Sequence, residues 1–264
     1  CDIRRLHLNR RRARLSQTCC RSWLAFRTMR YAIYFTPPPE TTLWRFGCSV
    51  LGYDAATRGA AAYPKHGLWH EPWFVRAQEA PARYGFHGTL KAPFALAPGM
   101  TEHALLERAA ELSRHWAPIY LPALEVASLG SFVALRPLAE DAELNRLAAA
   151  CVREFDDFRA PLDDADRARR LSQVLTQRQH EHLDRWGYPY VFDDFRFHMT
   201  LTGSIPKSLQ PQVLEALQDL HRRTRAAVWI DAISVLVQPT RESRFVLLER
   251  FALRADVPAI SFGP

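Results

Sequence analysis

The chain has 264 residues, of which 48% are hydrophobic and 24% charged, the balance of a folded globular protein long enough for one large domain or two small ones. Its net charge of +7 sits at one end: residues 1–28 carry eight arginines and one acid, leaving 27 basic and 27 acidic side chains for the rest. That neutral body argues against a strongly basic nucleic-acid surface.

Beyond residue 28 only Cys48 and Cys151 remain, too few for a disulfide framework and in keeping with a reducing cytoplasm. No apolar run reaches the length of a membrane span. Met29-Arg30-Tyr31 reads as a natural start, so residues 1–28 are expected to be a disordered upstream extension.

In chain order, Tyr31–Phe35 reads as a strand stopped by Pro37-Pro38-Pro39. Residues 40–82 read as loops with a short helix, and a strand is expected over Tyr84–Leu90. Leu105, Ala109, Leu112 and Trp116 keep helical spacing over 101–116. Strands follow at Tyr120–Ser128 and Ser131–Arg136, turned at Leu129-Gly130. Helices are expected over 140–158 and 172–186, with a charged loop from Arg159 to Arg170 between them. The last elements are a strand over His198–Ser204, a helix opened by Ser208, and a hairpin of Ala227–Gln238 with Arg244–Leu253. Strand, helix and hairpin thus occur twice in one order, which indicates an internal duplication. The expectation is an α+β protein of two similar lobes, each of antiparallel sheet plus helices, with the active cleft between them. Residues 29–264 would form this one bilobal domain, one lobe motif lying around 84–136 and the other around 190–253.

The duplication carries a repeated pentapeptide, Phe86-His87-Gly88-Thr89-Leu90 and Phe197-His198-Met199-Thr200-Leu201. In extended backbone, residues two apart share a face. Each copy therefore offers a histidine and a threonine side by side, followed on the same parity by Lys91 in the first and Thr202 in the second. Two such rows brought together suit a phosphodiester. One imidazole can accept a proton from water and the other can give one to the leaving oxygen. The Thr89 and Thr200 hydroxyls can hold the non-bridging oxygens. The scheme calls for no metal and no cofactor.

The two H-x-T-L segments resemble the paired H-x-[ST]-x motifs of the 2H phosphoesterase superfamily. The run from Arg83 to Phe94, with Leu51–Thr57, Trp186–Tyr190 and Phe197–Thr202, is similar to a bacterial family associated with phosphonate-utilisation (carbon–phosphorus lyase) operons. The resemblance covers about Met29 to Leu253. It departs at Arg58, which stands before Gly59 where that family tends to have glycine directly. It implies two lobes related by a pseudo-twofold axis and metal-independent chemistry on cyclic or 2′-linked phosphodiesters. His87 and His198 would be acid and base, Thr89 and Thr200 would hold the phosphate, and the substrate would be a ribosyl cyclic phosphate from phosphonate breakdown. RNA ends carrying 2′,3′-cyclic or 2′,5′ linkages are a second substrate class, disfavoured by the neutral body. A phosphate-binding module without turnover is a third reading.

Among flanking residues, Lys91 reads either as a substrate ligand or as a solvated lysine before Pro93. Tyr188 and Tyr190 read as stacking platforms for a base or sugar, or as core. Tyr84 reads as packing. His180-Glu181-His182 has the wrong helical spacing for a shared metal and reads as a solvated face.

Overall fold

The computed structural model describes residues 29–224 and 227–255; the expectation for residues 1–28 lies outside them. Eleven strands and seven α-helices alternate along the described chain. Strand β1 (Arg30–Phe35) leads through α1 (Thr42–Leu51), the ribbon β2 (Tyr53–Asp54) and β3 (Gly59–Ala60), and α2 (Pro72–Ala82) to β4 (Gly88–Phe94). Next come α3 (Glu102–Ser113), β5 (Ile119–Leu121), β6 (Leu124–Leu129) and β7 (Phe132–Pro137). Three helices follow, α4 (Ala142–Glu154), α5 (Asp164–Leu171) and α6 (Gln177–Trp186). Then β8 (Met199–Thr200), α7 (Gln210–His221), β9 (Val228–Ile230), β10 (Ala232–Gln238) and β11 (Val246–Ala252) complete the order.

The mixed, antiparallel architecture is the expected one, and it is organised around one large sheet. Seven strands run β11-β10-β1-β4-β8-β7-β6, each paired antiparallel with its neighbour. The sheet is therefore continuous across what the sequence divides into two lobes. Each hairpin also crosses over. β6–β7 follows β4 in the chain yet flanks β8, while β10–β11 follows β8 yet lies on the β1–β4 side. The two motif strands are left side by side in the middle.

Strands β1 and β10 are buried along their whole length, as befits apolar runs covered on both faces. Helix α4 is N-capped by Asp141, which accepts from the Leu144 amide. It buries Leu144, Leu147, Ala148, Cys151 and Val152 and packs on β4. Full burial of each such leucine contributes about 1.5–3 kcal/mol.

Several local expectations change. The region 40–82 holds two α-helices, α1 and α2, rather than one. The expected strands at 120–128 and 227–238 are each broken, at Pro122-Ala123 and at Asp231, and the short pieces β5 and β9 pair with each other. The charged loop Arg159–Arg170 contains α5, which has no buried residue and hence no apolar stripe by which to recognise it. Asp163 caps it by accepting from the Asp166 amide. The departure at Arg58 is visible in the backbone, where it turns the β2–β3 ribbon at φ +61°, a conformation costing a non-glycine residue about 1–2 kcal/mol. Cys48 and Cys151 are free and buried. Among the described residues no helix is long and apolar enough to cross a membrane.

Candidate active site

Gly88 pairs with Met199 across β4 and β8. Continuing that antiparallel register by one residue each way sets His87 opposite Thr200 and Thr89 opposite His198. Alternation places all four on one face. The pentapeptides thus form a small square in which each histidine has its own threonine along the strand and the other copy's threonine across it.

The two imidazoles are fixed in the same manner. His87 Nδ1–H donates to the Gly85 carbonyl at 2.9 Å, and His198 Nδ1–H donates to the Arg196 carbonyl at 2.8 Å. Both tethers run back two residues. Both rings are therefore held in the tautomer whose Nε2 is open when neutral. At His87 that nitrogen accepts from the Thr89 hydroxyl at 3.2 Å. His87 also stacks on Tyr34 of β1, ring centres 3.7 Å apart and planes within 14°. His198 packs against Phe132 of β7, with ring centres 5.6 Å apart.

Burial lowers the pKa of His87 to about 4, opposed by its bond to Gly85 and reinforced by the nearby charge of His198. Burial lowers His198 as well, against its bond to Arg196. With both values below the ordinary 6.5, the two imidazoles are neutral at pH 7.

Lys91 is not part of this face. A bulge in β4 sets Tyr34 opposite Thr89 but Ile33 opposite Lys91. The extra residue inverts the alternation. Lys91 is only 4% exposed and donates to the Val152 carbonyl at 2.7 Å and to Asp156 at 3.2 Å, anchoring the end of α4. Burial lowers its pKa to about 8 in spite of Asp156.

Thr202 is likewise spent elsewhere. Strand β8 ends at Thr200, and the amides of Leu201 and Thr202 both donate to the Val133 carbonyl. The irregular turn buries Thr202 fully. Its hydroxyl accepts from the Val133 amide and donates to the Gly203 carbonyl, each at 2.9 Å.

Tyr188 lies beneath Arg170, whose guanidinium carbon is 4.6 Å from the ring centre. Tyr190 stands edge-on to Tyr188 and donates to Gln173 at 2.7 Å. Tyr84, read as packing, does stack on Phe245 but also lies 6.5 Å from His87, centre to centre. Tyr34, Arg30 and Arg170 were not singled out by the sequence. Tyr34 sits in an ordinary-looking strand, and Arg170 in the helix with no apolar signature. His180 is exposed, while His182 faces Asp194 at 3.4 Å. Among the described residues no group of three or more histidines, cysteines or acids is placed to hold a metal ion.

With this geometry in place, comparison with known proteins adds kinship. A family described as "Protein of unknown function (DUF1045)" matches residues 89–246, from Thr89 of the first motif to the start of β11. The chain belongs to this family. Two curated relatives of the DUF1045 chain are each named ribose 1,5-bisphosphate phosphokinase PhnN. The one from Laribacter hongkongensis is 36% identical over 83% of this chain and 50% of its own length. The one from Janthinobacterium sp. is 39% identical over 87% of this chain and 53% of its own length. The chain thus spans about half the length of the curated relatives it matches. A crystal structure titled as a phosphoesterase aligns over 86% of this chain and 99% of its own, with 13% identity and a TM-score of 0.39.

Proposed function

We propose that this DUF1045 protein is a phosphodiesterase of the two-histidine type that opens a small cyclic phosphate of ribose. The observation that carries the reading is the matched pair of tethered imidazoles. Each has Nδ1–H held by the carbonyl two residues back, which turns Nε2 towards the threonines, and at His87 that nitrogen already accepts from the Thr89 hydroxyl.

His87, neutral at pH 7, takes a proton from the attacking water through Nε2. Water oxygen bonds to phosphorus as one ring P–O bond breaks. His198, whose pKa an incoming phosphate anion raises, gives its Nε2 proton to the departing sugar oxygen. Thr89 and Thr200 donate to the non-bridging oxygens as charge redistributes, each such donor contributing up to about 10²–10³ in rate. The two histidines supply both proton transfers, so the scheme needs no Lewis acid.

The relatives' name supports the choice of substrate. Opening a 1,2-cyclic phosphate of ribose 5-phosphate at the O2 side leaves ribose 1,5-bisphosphate, the compound in that name. This chain has no G-x-x-x-x-G-K-[ST] run, the usual phosphate cradle of a P-loop kinase. We therefore assign the phosphokinase to the part of the relatives that this chain does not span, and the cyclic-phosphate step to the part that it does.

The test is hydrolysis of a panel of ribosyl and nucleoside cyclic phosphates by the purified protein in excess chelator. Turnover of a ribosyl compound, abolished by His87→Ala and by His198→Ala, is the expected result. Full activity in either variant refutes the mechanism. Preference for RNA ends moves the substrate class, and binding without turnover leaves a phosphate-binding module.

A further inference from the structure

Beside the histidine–threonine square lies a group of cationic and phenolic side chains that the proton-transfer scheme does not use. Arg30, at the start of β1, is 4% exposed. Its Nε and Nη2 both go to one neutral acceptor, the Gln238 Oε1, at 2.8 and 2.5 Å. Its guanidinium carbon lies 5.6 Å from the centre of the Phe245 ring.

Arg170, in the last turn of α5, is barer still. Its Nε is shut off from solvent with no hydrogen-bond partner, and its guanidinium packs over the face of Tyr188. The nearest carboxylate, Asp166, is already committed: Arg241 donates to both its oxygens, at 2.8 and 2.5 Å, and Arg169 donates to one, at 2.6 Å. Among the described residues, neither Arg30 nor Arg170 forms a salt bridge. A guanidinium withdrawn from solvent, wholly as in Arg30 or at its Nε as in Arg170, is ordinarily paired with an anion, because desolvating it alone is costly.

Both cations border the site. The buried Tyr34 phenol, whose ring carries His87, lies within the electrostatic reach of Arg30, Arg170, Tyr84 and Tyr188. Burial keeps the Tyr34 and Tyr188 phenols protonated well into alkaline pH, so they are neutral groups able to donate. Two arginines without a salt bridge, one packed on Tyr188 and the other on the Phe245 ring that Tyr84 stacks against, make with these phenols a receptor for a compact, multiply charged oxyanion.

We infer that Arg170 and Arg30, with the hydroxyls of Tyr34, Tyr84 and Tyr188, form a second anion subsite that holds a phosphate monoester carried by the same substrate. The inference rests on the phosphodiesterase reading for the word "same" and deepens it. The substrate class is a cyclic phosphate bearing a further phosphate, fixed at both ends. Arg170 confers the preference, because α5 carries it over the site from outside the core.

Arg170→Ala is the informative change, since α5 has no buried residue and the fold does not depend on that side chain. Two measurements separate the subsite from the chemistry. In the first, kcat/KM is determined for ribose 1,2-cyclic phosphate with and without a 5-phosphate. The wild-type protein should prefer the phosphorylated compound by about 10–100-fold, the worth of a charge-assisted bidentate contact, and Arg170→Ala should collapse that ratio towards one. In the second, binding of ribose 5-phosphate is followed by calorimetry, which needs no turnover. Arg170→Ala should weaken it by a similar factor. If neither cyclic compound is hydrolysed but ribose 5-phosphate binds through Arg170, the subsite stands and the catalytic reading falls. If hydrolysis proceeds with a ratio that Arg170→Ala leaves intact, the subsite is refuted and the catalytic reading survives. Failure of the wild-type protein to bind ribose 5-phosphate also refutes the subsite.

Discussion

Replacing Gly88 by alanine tests how tightly the two motif strands are fitted together. Gly88 lies in extended backbone without a positive φ, so a methyl group is acceptable to the chain itself. On those grounds alone Gly88→Ala would stabilise by about 0.4–1 kcal/mol, through the unfolded state. The surroundings reverse the sign. An alanine Cβ would fall 2.4 Å from both Cε2 and Cζ of Phe197, where carbon atoms rest about 3.5–4.0 Å apart. Phe197 is buried and packed against Phe35, ring centres 6.2 Å apart, so its ring must shift by about 1 Å in a filled core. Overpacking of that kind costs about 1–3 kcal/mol, and the net expectation is a loss of about 1–2 kcal/mol. Phe197 immediately precedes His198, so the displacement is passed to the imidazole, and a misplacement of about 1 Å lowers kcat by about 10². Urea denaturation should show a lower midpoint at unchanged slope, and kcat should fall in the folded protein. Truncating the ring as well, in Gly88→Ala/Phe197→Leu, should recover part of the stability. A Gly88→Ala protein as stable and as fast as the wild type would show the close approach to be wrong.

Two further outcomes follow from the site. Thr200→Val should lower kcat by about 10²–10³ with little loss of stability. Thr202→Val should instead cost about 1–3 kcal/mol, because it leaves the buried Val133 amide unpaired, while the folded protein keeps its kcat; a large rate loss in Thr202→Val would return that residue to the site. The depressed His87 also predicts a pH dependence of stability. Its folded-state pKa of about 4 lies below the ordinary 6.5, so protonation favours the unfolded chain. The contribution is intact above about pH 6.5 and is lost as pH falls towards about 4. His87→Gln should show a flatter fall in denaturation midpoint over that window, and an identical fall would contradict the assigned burial.

Much of this site was legible because a strand's period of two is simple. His87 with Thr89 and His198 with Thr200 could be placed on a shared face from spacing alone. The same rule failed at the next step in both copies. At Lys91 a bulge inverted the alternation, and at Thr202 the strand had already ended. Neither event has a signature within the pentapeptides, since each is set by what lies alongside: β1 in one case, the Val133 carbonyl in the other. The repeated order of strand, helix and hairpin was legible, but the side of the sheet that each hairpin takes was not, because sequence order does not say which strand a hairpin will flank. Arg30 and Arg170 were invisible for a third reason. An arginine looks like surface until the tertiary structure withdraws its guanidinium from solvent without a salt-bridge partner.

The central pairing of β4 with β8 also bears on when the proposed site is assembled. Strand β8 contributes two residues, and it pairs with β4 through Gly88 and Met199, which are far apart in the chain. It is a contact of high sequence separation and small local reward, the kind that waits until loop closure has been offset elsewhere. Neither half of the chain contains a usable site by itself. On the proposed function, turnover would report this long-range pairing, and in refolding it should lag behind the recovery of helix and of the β6–β7 hairpin, which need only local contacts.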